Sequence, residues 1–323
     1  MGNTTWARPA PRCADAEGRY PRARQESRYL HHRDRRRRQT GAGGPQQRAP
    51  GTPLLLFRQL QPAGGAHQLH QGHAGRCAGL WGARPEPEDE ADPGRVYGGE
   101  SAEERQWPWQ VRLVIQIQPS AALGAGSLVS PTWVLTAAHN MFDADRIVNA
   151  SAITASLGST KGHGGELRKV SEIHVHPLYS NEEATQNENF AYDIALVKLV
   201  KPVTFNSRIA PVCLPCTEEV SNFLPIPAAP WESQCTYQDR ILTGYGGGER
   251  REVTGYISGW GLTGSGRISK TLQHGRISIQ HRSQCRRDNL HPSLLCAKGD
   301  GVDACRGDSG GPFTIKIKQR WIQ

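Results

Sequence analysis

Residues 303-DACRGDSGGP-312 decide how this chain is read. Gly307, Gly310 and Gly311 bracket Ser309. Glycines let the backbone enter conformations that other residues avoid, so the stretch can form a strained turn that points two N–H groups at one place. Two upstream segments carry residue types that complement a presented serine. In 132-TWVLTAAHN-140 an apolar strand ends in His139 at a tight turn, which would hold an imidazole at a barrel rim. In 192-YDIALVKL-199, Asp193 stands directly before a strongly apolar strand, where a carboxylate can be buried and aimed. Taken singly, the histidine reads as a core or surface residue and the aspartate as a strand cap.

The texture around these segments is uniform from Val96 onward. Short β-branched and aromatic runs, 111-VRLVIQIQ-118, 133-WVLTA-137, 193-DIALVKLV-200, 256-YISGW-260 and 312-PFTIKIK-318, are separated by turn residues. Such spacing predicts an all-β sandwich or barrel with few helices. The stretch 240-RILTGYGGGERREVT-254 is Gly-rich and charged, and reads as a long surface loop or insertion.

The 323 residues suffice for about two domains and exclude a short peptide hormone or toxin. No apolar run approaches the roughly 20 residues a spanning helix needs, so no membrane span is expected. The +9 charge is unevenly placed: residues 1–95 hold 16 Arg, no Lys and 9 acids, and the remainder holds 23 basic and 21 acidic residues. The N-terminal third has no Ile or Val, and Phe57 is its one Phe. It cannot bury enough apolar surface to offset the entropy of ordering, and is expected to be mostly disordered. A boundary near Gly94 divides a low-complexity region, 1–95, from a folded unit, 96–323. The Arg35 to Arg38 run lacks interleaved aromatics and reads as a solvated charge run or processing site, so no nucleic-acid partner is expected. His67, His70 and His73 have helical ligand spacing, but Gly64, Gly65, Gly72 and Gly75 oppose a helix there; no metal and no cofactor is expected. No secretory leader is visible, because residues 1–30 are polar throughout.

Together the three motifs resemble the trypsin and chymotrypsin-like family of serine endopeptidases, in its chain order His139, Asp193, Ser309. The likeness begins at Val96 and leaves the first 94 residues uncovered. It implies two six-stranded antiparallel Greek-key barrels with the active site in the cleft between them. By that likeness Ser309 attacks the scissile carbonyl, His139 takes and returns its proton, and Asp193 orients the imidazole. The N–H groups of Gly307 and Ser309 form the oxyanion hole. The motif 95-RVYGGE-100 looks like a zymogen cleavage site: cutting after Arg95 would free the α-amine of Val96 to insert and pair with Asp308. Asp303 matches the residue at the base of the primary pocket, implying cleavage after Arg and Lys. Protein or peptide substrates, protease inhibitors as partners, and an extracellular, secreted location follow from the same likeness.

Cysteine usage fits it with departures. Cys285 and Cys296 match a family disulfide. Cys213 matches the position that tethers the prosegment in many relatives, with Cys77 or Cys13 as candidate partner. Gly124 with Asn140, and Gly255 with Ile315, stand where the family has cystine pairs; paired loss leaves no orphan thiol. Cys216 and Cys235 lie outside the family pattern and could pair with each other. Asn149, in an Asn-Ala-Ser sequon, is the expected glycan site. The chain ends 14 residues after Ser309, short of further strands found in the family. The second barrel is therefore expected to be incomplete and Cys305 unpaired. The alternative reading is a truncated, non-catalytic relative acting as a binding module.

Overall fold

The computed structural model describes residues 98–244, 252–263, 265–285 and 290–323. Expectations for the N-terminal region, including Arg95, Val96, Cys13 and Cys77, lie outside the described residues. The architecture is mostly β, with a closed barrel followed by a second sheet.

Strands β1 (Glu100–Ser101), β2 (Gln110–Ile117), β3 (Ser120–Leu128), β4 (Trp133–Thr136), β5 (Phe142–Asp143), β6 (Arg146–Ile147), β7 (Ile153–Leu157), β8 (Glu166–Val175) and β9 (Ala195–Leu199) come first. Helix α1 (Asn181–Gln186) lies between β8 and β9, and α2 (Glu218–Ser221) and α3 (Trp231–Thr243) follow β9. The remaining strands are β10 (Thr254–Gly259), β11 (Gln273–Ile279), β12 (Ala297–Lys298), β13 (Phe313–Ile317) and β14 (Arg320–Ile322). The barrel closes in the order β2-β3-β4-β9-β8-β7, and the β5/β6 hairpin stands apart. The second sheet runs β1-β11-β10-β13-β14, with β12 also paired to β11, and is not closed among the described residues. A closed six-stranded barrel with a further sheet beside it agrees with the all-β expectation.

Period-two burial explains the first barrel. On β2, Val111, Leu113 and Ile115 are buried while Arg112 and Gln116 face outward, and on β7 Ile153, Ala155 and Leu157 supply the matching inward row. These residues belong to one core that also takes in Leu128, Val134, Val197 and Leu199. That core continues into the second sheet through an aromatic cluster. Trp107 lies against Trp109, Tyr256, His274 and Trp321 at centroid distances of 5.7, 5.5, 5.4 and 5.0 Å. Burial within this cluster lowers the pKa of His274 to about 4, leaving its ring neutral. Gln110 of β2 and Ser258 of β10 form a second buried link. The serine hydroxyl donates to Oε1 at 2.7 Å, and the amide nitrogen donates to the serine carbonyl at 3.3 Å.

Two expectations are corrected. The predicted loop over 240–254 begins inside α3, whose Cys235, Gln238, Asp239 and Leu242 form a buried stripe at helical spacing. Gly244, at φ +72°, ends this helix in the left-handed cap conformation. The Cys216–Cys235 disulfide pins it to the preceding segment, and this local staple overrides the loop-like composition that follows. Cys305 is not unpaired but disulfide-bonded, as is Cys213. Cys285 is joined to Cys296. Among the described residues no cysteine is free. No described helix is long and apolar enough to cross a membrane.

Candidate active site

Each of the three chemistry-bearing segments is held at a strand end. The apolar strand β4 is buried on all four residues and delivers the chain into a 3-10 turn, Ala138–Met141, that carries His139. Met141 and Ala138 are buried beneath this turn, which directs His139 outward. Asp193 precedes β9, the direct partner of β4, so pairing of Thr136 with Ala195 brings the two residues together. The aspartate grips the histidine twice. One carboxylate oxygen accepts the backbone N–H of His139 at 2.8 Å, and the other lies 2.7 Å from ring Nδ1. A carboxylate there selects the tautomer with its proton on Nδ1, leaving Nε2 as the basic nitrogen. Phe190 meets the imidazole edge-on at 6.0 Å. Tyr179, which the sequence reading missed, is also close: burial, and secondarily the Asp193 charge, raise its phenol pKa. No sequence signal distinguishes it from any other loop tyrosine.

Ser309 reaches the same rim from the second sheet, just before β13. Its carbonyl accepts two hydrogen bonds, from Ala125 N at 2.8 Å and from Asn140 Nδ2 at 2.8 Å. These bonds dock the Ser309 turn on β3 and on the residue next to His139. The turn needs its glycines: Gly307 has φ +97° and Gly310 has φ +81°. A side-chain carbon at Gly310 would overlap Thr136 and the Ala125 carbonyl. Among the described residues no acceptor takes the N–H of Gly307 or of Ser309, whereas Asp308 N donates to Cys305 O and Gly311 N to Asp308 O. Two N–H donors therefore remain in the segment that also carries the serine hydroxyl.

Asp308 faces the other way. Its carboxylate oxygens accept Gly261 N at 2.6 Å and Cys305 N at 3.0 Å. A side chain at Gly259 or Gly261 would overlap it, so both positions must lack one. This enclosure raises its pKa to about 6 by desolvation, which outweighs the two N–H bonds. Among the described residues no cation pairs with it. Asp303 is part-buried and follows Val302, whose side chain fills the space above Gly275 and Gly299. Gly98, the first described residue, has φ +76° and packs so closely on Gly301 that a side chain would overlap the Gly301 carbonyl. The first described turn thus touches the loop that leads into Asp303. Asn149 is exposed at the start of a 3-10 turn, with its side-chain oxygen accepting from Ser151 N at 3.0 Å.

A part-buried aspartate bonded to the histidine of the β4 turn, with a serine on a glycine turn docked against the residue after that histidine, lies where the closed barrel meets the second sheet. The Trypsin family model matches residues 96–244 and 231–318. Suppressor of tumorigenicity 14 protein homolog of Bos taurus is 31% identical over 233 residues, covering 68% of this chain and 23% of that protein. Coagulation factor IX of Cavia porcellus is 31% identical over 231 residues, covering 69% of this chain and 68% of that protein. The factor IX of Oryctolagus cuniculus is also 31% identical, over 230 residues. The aligned segment spans about a quarter of the length of the bovine relative and about two thirds of the factor IX chains. The chain belongs to the trypsin family of serine proteases.

Proposed function

We propose that this chain is a secreted serine endopeptidase that hydrolyses peptide bonds on the carboxyl side of Arg and Lys. The observation that carries this reading is the twofold hold of Asp193 on His139, beside a Ser309 turn with two unspent N–H donors. His139 removes the Ser309 proton as the hydroxyl attacks the scissile carbonyl, and Asp193 stabilises the imidazolium that results. The oxyanion of the tetrahedral intermediate takes the Gly307 and Ser309 N–H groups, each such donor being worth about 3 kcal/mol of barrier. His139 returns the proton to the leaving amine, and water then hydrolyses the acyl-enzyme by the same steps in reverse order. Asp303 selects the substrate cation by a charge-assisted hydrogen bond.

Activation follows from Asp308. Its carboxylate is enclosed without a cation among the described residues, an arrangement disfavoured by desolvation. Cleavage after Arg95 creates an ammonium at Val96, and the close packing of Gly98 on Gly301 supports a route by which the new terminus reaches that carboxylate. The exposed Asn149 sequon carries a glycan, in keeping with secretion.

The test is hydrolysis, by protein cleaved after Arg95, of matched peptide amides differing only before the scissile bond. Turnover of the Arg and Lys peptides, lost in Ser309→Ala, is expected. Equal turnover of Phe and Glu peptides would overturn the specificity, and turnover surviving in Ser309→Ala would overturn the mechanism.

A further inference from the structure

Asn140 and Gly124 are not among the residues of the triad, the oxyanion hole or the primary pocket, yet they meet at the nucleophile. Asn140 follows His139 directly, and its Nδ2 donates to Ser309 O at 2.8 Å and to Thr136 Oγ1 at 3.3 Å. The amide orientation is set by chemistry, because a carbonyl oxygen can only accept and the nitrogen must face it. Thr136 Oγ1 in turn donates to Ala125 O at 2.7 Å, and Ala125 N donates to Ser309 O. The amide thus closes a small polar network across β3, β4 and the Ser309 turn. Gly124 makes room for it. A side-chain carbon at Gly124 would stand 2.8 Å from Nδ2, 3.0 Å from Cγ and 3.3 Å from Oδ1 of Asn140, tighter than ordinary contact at every atom.

We propose that Asn140 is a positioning residue that couples the His139 turn to the Ser309 turn, and that Gly124 is the notch that admits its amide. The proposal rests on the protease reading above for its kinetic consequence, but not for its structural one. One side chain sits next to the general base in sequence and bonds the nucleophile's own carbonyl. Any shift of the β4 turn therefore moves both reacting residues together and preserves their relative placement. Without the amide, Ser309 O retains only the Ala125 bond, and the glycine-flanked turn gains freedom to tilt about it. The substrate pocket near Asp303 is left untouched. The effect therefore falls on kcat rather than KM, because a loose nucleophile impairs a step after binding.

The experiment compares wild type, Asn140→Ala, Asn140→Asp and Gly124→Ala, all full-length and cleaved after Arg95. Turnover of an Arg peptide amide is measured together with hydrogen exchange over residues 303–312. Asn140→Ala is expected to lower kcat about tenfold, the change a lost hydrogen bond of ordinary strength produces, with KM held within about twofold. Exchange over 303–312 should rise while β2 and β7 stay protected. Asn140→Asp should lose more kcat than Asn140→Ala at pH 8, because a carboxylate then faces the Ser309 carbonyl. Gly124→Ala keeps the amide but displaces it, so it should reproduce the alanine variant's exchange pattern even if Asn140→Ala folds poorly. Unchanged exchange over 303–312 in either alanine variant that folds would overturn the proposal. If wild type shows no turnover, the protease reading fails, while the exchange comparison still decides the coupling.

Discussion

Replacing Asp308 by asparagine in the uncleaved chain should reverse the sign of its effect on stability between acid and alkaline pH. Burial raises the Asp308 pKa from 3.8 to about 6. Between those values the folded chain holds a proton that the unfolded chain has released, so stability falls as pH rises through that window. The penalty is absent below about pH 4 and fully present above about pH 6. Roughly two pKa units correspond to about 3 kcal/mol. The substituted amide does not ionise and escapes this penalty. Its nitrogen must, however, face either the Gly261 or the Cys305 N–H, sacrificing one of the two hydrogen bonds at a cost of about 1 kcal/mol. At pH 8 Asp308→Asn should therefore be more stable than wild type by about 2 kcal/mol, and at pH 4 less stable by about 1 kcal/mol. In a unit of this size each kcal/mol moves Tm by about 2–4 °C. Urea or thermal unfolding of both proteins at pH 4 and pH 8 measures the difference, in which other titrating groups such as Asp239 cancel. The same variant should stay inactive after cleavage at Arg95, having no carboxylate to pair with the new ammonium. A variant-minus-wild-type difference that is equal at the two pH values would refute the buried-carboxylate argument.

Leu113→Ala removes a fully buried side chain from the closed barrel and should cost about 2–5 kcal/mol in urea unfolding. Cys235→Ser breaks the staple that closes a 19-residue separation beneath α3; a loss of about 2–4 kcal/mol is expected, with reduced helical circular dichroism. Asp303→Ser should shift cleavage of a mixed peptide library from basic toward apolar residues, and an unchanged Arg preference would place the selecting charge elsewhere.

The apolar β-branched runs that become β2, β4, β9, β10 and β13 are legible in the sequence by their composition and length, with β2 burying alternate residues and β4 burying all four. β3, with the sequence SAALGAGSL, is not. Its small residues are chosen by what presses on them, namely Asn140 at Gly124 and the Ser309 turn at Ala125. β8 escapes for a different reason: ELRKVSEIHV buries only Val170 deeply and leaves Leu167 exposed, so it shows no clean apolar period. The triad types are readable because their motifs are local, with His139 closing a strand and Asp193 opening one. The Asn140 link joins residues 169 apart, and the Trp107–Trp321 packing joins opposite ends of the folded unit. Only a folded chain brings those partners together. The α3 stripe is masked by the Gly-rich composition after it, although Cys216 and Cys235 offer a signal.

The proposed nucleophilic centre joins His139, Asp193 and Ser309. It is tested most directly by labelling the Arg95-cleaved protein with a fluorophosphonate, which reacts with an activated serine. Labelling of wild type at Ser309 is expected, absent from Ser309→Ala and greatly slowed in His139→Ala. Folded, correctly cleaved wild type that takes up no label would contradict it.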